Sequence, residues 1–269
     1  MSVLEALILG IVQGVTEFLP VSSSGHLVLL QRVFGITEPA MAFNAAVHGG
    51  TLAAVALVLR RDIGNLLRRI VQPLTLYLII ATIPTVIVAL LFRDAIEHAF
   101  ATGSFLGFAF LTTTALLVVS DRLYRRGEKP GKPARPQSEM TWRDALLIGL
   151  LQAVAVAPGI SRSGATISAG LSRRLDRDFA ARFSFLLSIP AILGALVLHL
   201  NEFAGVTAAA SIGILPILVG SISAGVVGFF SVRFTIKMVR ERSLLGFAVY
   251  TGILGILVLI DQFGTNLVF

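Results

Sequence analysis

Ala6-Leu7-Ile8-Leu9-Gly10-Ile11-Val12-Gln13 returns 139 residues later as Ala145-Leu146-Leu147-Ile148-Gly149-Leu150-Leu151-Gln152, with Glu5 falling on Asp144. The same shift carries Gly25 onto Gly164, and Ser104-Phe105-Leu106-Gly107-Phe108-Ala109 onto Ser243-Leu244-Leu245-Gly246-Phe247-Ala248, with Thr112 on Thr251. One duplication therefore spans the chain of 269 residues. It divides the chain into a first repeat over 1–121, a linker over 122–140 and a second repeat over 141–269. The linker contains Lys129-Pro130-Gly131-Lys132-Pro133 and Arg135-Pro136, turn-forming and charged, and reads as exposed.

The repeated stretches are too apolar for water. Apolar residues make up 55% of the chain and charged ones 14%, and the mean hydropathy is +0.87, values that place it in lipid. Apolar runs near the length an α-helix needs to cross hydrocarbon predict six membrane helices, at 41–59, 73–92, 104–121, 183–200, 212–232 and 244–262. They contain Gly and Pro and show no period of two, so the fold class is an all-α polytopic membrane protein, not a β-barrel. The net charge of +7 and pI near 10.7 come from short basic loops beside apolar runs, which is positive-inside bias and not a nucleic-acid footprint. Without cysteine there is neither a disulfide nor a thiolate metal site. Val3 to Leu19 lacks a basic n-region and carries Glu5, Gln13 and Glu17, so it reads as a retained segment and not a signal peptide.

The basic loops set the orientation. Arg60 to Arg69, Arg122 to Arg135, Arg173 to Arg177 and Arg233 to Arg242 are expected in the cytoplasm, with 93–103 and 201–210 outside. Three crossings per half turn the second half upside down relative to the first, the inverted-repeat architecture. Each half opens with an apolar segment broken in its middle, 3–35 at Pro20 and the Ser22-Ser23-Ser24-Gly25 run, and 141–180 at Pro158-Gly159 and Ser161-Arg162-Ser163-Gly164. Both read as re-entrant hairpins. Non-helical backbone survives at membrane depth only inside protein or beside a water-filled cavity, so the two polar tips are expected to meet.

The first tip is Gln13-Gly14-Val15-Thr16-Glu17-Phe18-Leu19-Pro20-Val21-Ser22-Ser23-Ser24-Gly25-His26. Gln13 and Glu17 share a helix face, and Ser23 lies three residues before His26 at a turn opening a second half-helix. A serine beside a histidine and a carboxylate has the parts of an activated nucleophile. The second tip supplies Arg162, a permanent fork-shaped cation suited to phosphate, among Ser161, Ser163 and Thr166. Taken singly, these hydroxyls also suit helix-helix bonding, and Arg162 also suits an ion pair with Glu17. His48, beside Gly49-Gly50, is placed to line the same cavity.

At these residues the chain resembles the undecaprenyl-diphosphate phosphatase family, the bacitracin-resistance proteins. Glu17 to His26, Pro158 to Thr166 and Phe183-Ser184-Phe185-Leu186-Leu187 with Pro190 are similar to its shared motifs, and the likeness covers essentially the whole chain. Gln13 stands where many members have glutamate, and Asn44 where an acidic residue is common. The resemblance implies hydrolysis of undecaprenyl diphosphate to the monophosphate, recycling the lipid carrier of cell-wall synthesis in the bacterial inner membrane. The active site would face the periplasm, and a divalent cation, Mg²⁺ or alternatively Ca²⁺, would assist. The catalytic set is then Glu17, Ser23, His26 and Arg162, with Gln13, Ser22, Ser24, Ser161, Ser163 and Thr166 binding substrate. Ser23 or water attacks phosphorus, His26 handles the proton, and Glu17 either orients His26 or binds the metal. The partners implied are the polyprenyl diphosphate and membrane lipids, no nucleic acid, and a second copy of the chain in a homodimer. A lipid-phosphate flippase or secondary transporter is the competing class, since inverted repeats with broken helices serve transport too.

Overall fold

The computed structural model describes residues 1–36, 41–127, 133–198 and 212–269; the outer loop expected at 201–210 and the Lys129 to Lys132 part of the linker lie outside them. Among the described residues no strand forms, and one isolated bridge pairs Arg135 with Leu175. The described residues form twelve α-helices, in order α1 Val3–Thr16, α2 Ser23–Val33, α3 Met41–Val58, α4 Arg60–Arg68, α5 Pro73–Leu91, α6 Arg93–Thr102, α7 Leu106–Gly127, α8 Trp142–Val154, α9 Arg162–Ser172, α10 Arg177–Leu198, α11 Ile214–Glu241 and α12 Leu245–Ile260. Helices α5, α7, α10, α11 and α12 are long and apolar enough to cross a membrane, and α3 with α4, bent by 76°, makes a sixth if the pair counts as one span.

The helix ends depart from the hydropathy reading. α7 runs on to Gly127, α10 begins at Arg177 and α11 continues to Glu241. Backbone hydrogen bonding propagates a helix through charged residues whose long stems reach water, whereas hydropathy marks only the apolar stretch. The outer segment 93–103, expected as a loop, is helix α6. Arg93 and Glu97 pair at 2.7 Å on its surface, and Gly103 ends it with φ 60°, the left-handed conformation glycine adopts freely.

The duplication reappears in the caps. Ser2 caps α1 and Thr141 caps α8, each in a reciprocal box, with Glu5 and with Asp144. Ser22 caps α2 by accepting from the Gly25 N–H, and Ser161 caps α9 by accepting from the Gly164 N–H. The duplication also appears in the packing, which is crosswise: α1 lies on α11 of the other half and α8 on α5, while α3 meets α10 and α7 meets α12. Small residues make these contacts close, as expected where lipid offers no hydrophobic drive between helices. A Cβ on Gly10 would fall 2.3 Å from the Gly220 carbonyl, and one on Gly149 would fall 2.5 Å from that of Ala81. These are one contact made twice, since Gly10 and Ala81 shift onto Gly149 and Gly220.

The basic helix ends gather together. Asp144 takes Arg135 at 2.9 Å and Arg173 at 2.7 Å. Burial alone would push its carboxyl pKa up, but hydrogen bonds from Arg135, Arg173 and Thr141 outweigh this and hold it well below the usual carboxylate range. Arg177 donates to the Val239 and Arg242 carbonyls, and Arg182 reaches Asp62 at 3.3 Å. Both feet of the second hairpin are thus anchored at this basic end. The feet of the first hairpin lie elsewhere, where Met1, Phe34 and Ile36 pack with Ile212 round a core of Leu9, Leu27, Phe43 and Val47.

Candidate active site

Pro20, which donates no N–H, and the Ser22 turn break the first hairpin; Pro158 and Gly159 break the second. Phe18 anchors the first tip by packing edge-on against Phe185 at 5.4 Å. The tips touch directly: Ser163 donates to the Leu19 carbonyl at 2.9 Å, and Ser24 Oγ accepts from the Gly159 N–H at 3.2 Å. From α7, Thr113 Oγ1 accepts the Ser161 N–H at 2.9 Å and so props the second tip.

Glu17, buried, is the hub. One carboxylate oxygen, Oε1, accepts from Arg162 Nη2. The other, Oε2, accepts from Ser23 Oγ at 2.5 Å and from Gln13 Nε2 at 2.9 Å, and faces His48 Nε2 at 3.6 Å. Two atoms in the group are left over: Arg162 Nη1 and Gln13 Oε1 are buried without a hydrogen-bond partner among the described residues. A buried donor on a cation is costly to leave unmade, so such an atom marks a place for an anion. The ion-pair role for Arg162 and the phosphate role are therefore both available, one arm of the fork for each.

The cluster opens into a cavity of about 600 Å³. Its polar floor holds Glu17, Ser22, Ser23, Ser24, Ser161 and Arg162, with His48, Thr82, Thr85 and Gln152 on the sides. Its walls turn apolar along Val86, Ala89 and Leu90 of α5 and Ile192, Leu193 and Leu196 of α10, and Arg93, Ile96, Glu97 and Phe100 of α6 also line it.

His26 is not where the Ser23 spacing placed it. Its Nδ1 donates to the Ser22 carbonyl at 2.6 Å, and its Nε2 accepts from the Tyr250 hydroxyl at 2.7 Å. Tyr250 stacks on it at 5.7 Å, and Phe110 meets it edge-on at 5.5 Å. Side chains three apart on a helix are neighbours, but here each has a better partner, Glu17 for Ser23 and Tyr250 for His26. Nor does Glu17 orient His26; the imidazole facing Glu17 is His48. What His26 holds is Ser22, whose φ of 71° is rare for a residue with a Cβ and persists only under such constraint. Two further hydroxyls expected on substrate are engaged elsewhere: Thr166 donates to the Arg162 carbonyl at 2.9 Å and meets Ser184, and Ser163 bridges the tips.

For a divalent cation the donors at hand are hard oxygens, the Glu17 carboxylate and the unpartnered Gln13 Oε1. Among the described residues no three His, Cys, Asp or Glu gather. A six-coordinate cation would thus draw most of its ligands from a phosphate-bearing substrate and water, which fits a cation that arrives with substrate better than one caged by protein.

Sequence reading missed Tyr250, Thr113, Thr85 and Gln152. Three of them face the hairpins from helices distant in sequence, where no local spacing signals them; Gln152 alone carried a sign, as the counterpart of Gln13 in the duplication.

A family model described as Bacitracin resistance protein BacA matches residues 6–257. A protein of Carboxydothermus hydrogenoformans named undecaprenyl-diphosphatase is 43% identical over 263 residues, covering 97% of this chain and 98% of its own. Undecaprenyl-diphosphatase 4 of Bacillus thuringiensis subsp. konkukian is 43% identical, covering 98% of each chain. Undecaprenyl-diphosphatase of Methanosphaera stadtmanae is 39% identical over 282 residues, covering 97% of this chain and 98% of its own.

Proposed function

Since this membrane protein belongs to the BacA family of bacitracin-resistance proteins, we propose that it hydrolyses undecaprenyl diphosphate to the monophosphate and inorganic phosphate. The observation that carries the reading is Arg162, with one arm on Glu17 and the other unpartnered, at the floor of a cavity that also holds Ser23 and turns apolar as it leaves the tips. Phosphoryl transfer asks mainly for positioning and charge neutralisation, and this floor supplies both.

The terminal phosphate sits against Arg162 Nη1, and the prenyl chain runs along the wall between α5 and α10. Ser23 Oγ attacks the terminal phosphorus in line as the bond to the bridging oxygen breaks. Glu17, which already accepts the Ser23 hydroxyl, takes its proton. Water then releases phosphate from the serine, which recovers its proton. His26 contributes by clamping the Ser22 turn that aims Ser23. When a divalent cation is bound, Glu17 and Gln13 Oε1 hold it and it supplies charge neutralisation to the diphosphate oxygens.

Two features support a site that opens outward, to the periplasmic side of a bacterial inner membrane. The cavity extends to α6, in the segment poor in positive charge, and the basic ends of α9, α10 and α11 gather elsewhere. The reading includes the inverted orientation of the two halves. A homodimer belongs to it as well, and light scattering in detergent measures that state. The deciding experiment is phosphate release from undecaprenyl diphosphate by the purified protein in detergent. Turnover where no gradient exists is the expected result; binding without phosphate release would instead favour lipid transport.

A further inference from the structure

Gln152 lines the cavity from α8, yet its side-chain oxygen finds no hydrogen-bond partner among the described residues although the residue is only 1% exposed. An amide left half-satisfied in such a place costs stability unless something that enters the cavity completes it. Its one bond is to α5, where Nε2 meets Thr85 Oγ1 at 2.9 Å. A threonine hydroxyl both donates and accepts, and among the described residues no other bond occupies this one. A half-turn of the amide therefore lets Thr85 donate to Oε1 and points the NH₂ group into the cavity, with the bond count unchanged.

The position of the pair says what that NH₂ group would meet. Along α5 the cavity wall reads Thr82, Thr85, then Val86, Ala89 and Leu90, so Gln152 and Thr85 stand where the polar floor gives way to the apolar wall. A polyprenyl diphosphate with its terminal phosphate on Arg162 and its chain along that wall passes its inner phosphate through this junction. The duplication places Gln13 at the equivalent point of the first hairpin, bonded to Glu17, and so each half carries one buried, half-satisfied glutamine, of which Gln152 lines the cavity.

We propose that Gln152, steadied by Thr85, is a substrate-binding residue that donates from its amide to the inner, non-transferred phosphate of the diphosphate. This rests on the diphosphate reading above. A donor on the inner phosphate holds that group when it departs as the monophosphate, while Arg162 stays with the phosphate that is transferred.

The test is binding of a non-hydrolysable methylene-bridged farnesyl diphosphonate to the parent and to Gln152→Leu in detergent, with thermal unfolding measured alongside. Leucine fills the same space without polar atoms, so a residue that served only packing would leave affinity unchanged. The expected result is affinity at least about tenfold weaker, with an unfolding midpoint no lower than the parent's. Equal affinity in parent and variant overturns the proposal. Gln152→Glu decides the matter if the leucine variant does not fold: a carboxylate facing the inner phosphate should weaken binding further still, and undiminished binding overturns the proposal as well. If the parent binds no diphosphonate and releases no phosphate from the natural substrate, the functional reading itself fails, an outcome distinct from either of these.

Discussion

Arg162 Nη1 lies buried and unpartnered while Nη2 holds Glu17, so this residue has two tasks at once. Arg162→Lys keeps the charge but has only a point donor to divide between carboxylate and phosphate. Its turnover is expected to fall nearly as far as that of Arg162→Ala, by at least about a hundredfold, in a phosphate-release assay on protein whose folding has been verified. Near-parent activity in the lysine variant would sink the two-armed account. The three adjacent serines separate by partner: Ser23 is bound to Glu17, Ser24 to the Gly159 N–H, and Ser22 to its own helix cap. Ser23→Ala should abolish turnover and keep diphosphonate binding. Ser24→Ala should stay active, and Ser22→Ala should lose about 1 kcal/mol of stability with the cap. Hydrolysis by Ser23→Ala at the parent's rate would transfer the attack to water activated by Glu17. Spacing along the chain disclosed Gln13 with Glu17 because both lie on one helix face. It misplaced His26 because the hydroxyl that claims it, that of Tyr250, comes from the last helix.

Among the elements, the helices that bury glycine against backbone leave no room for a methyl group. A Cβ on Gly50 of α3 would lie 2.2 Å from the Ser221 carbonyl of α11, whereas one on Gly49 would meet nothing within 4 Å. Gly50→Ala is therefore expected to destabilise the protein by about 1–3 kcal/mol through overpacking. Gly49→Ala should be neutral or slightly stabilising, because alanine favours helix. Thermal unfolding in detergent compares the two, and equal midpoints would contradict the close approach of α3 and α11. The six apolar stretches and the two broken hairpins were readable because apolar length and breaker residues are local properties. The reach of α7, α10 and α11 beyond the apolar stretch was not, nor was α6, because polar helix ends look like loop to a hydropathy reading.

For the whole molecule, the proposed sidedness rests on where the basic ends gather. Ser138 lies exposed in the 3₁₀ turn Gln137–Glu139 near that end, and Ala101 is exposed on α6. In this cysteine-free chain, Ser138→Cys should react with an impermeant maleimide only after the membrane is opened, and Ala101→Cys in intact cells. The reverse pattern would overturn the orientation. The crosswise packing of α1 on α11 and α8 on α5 also bears on how such a chain can arise and be built. The first helix of each opening hairpin lies chiefly on the other half, so a half made alone leaves that face uncovered unless a second copy supplies the partner. Two fragments cut within 128–132 and produced together should reassemble into a working enzyme, while either fragment alone should be degraded. The protein is in this sense a pair of interlocked parts joined by a tether, and the tether, not the interlock, is the piece a cell could do without.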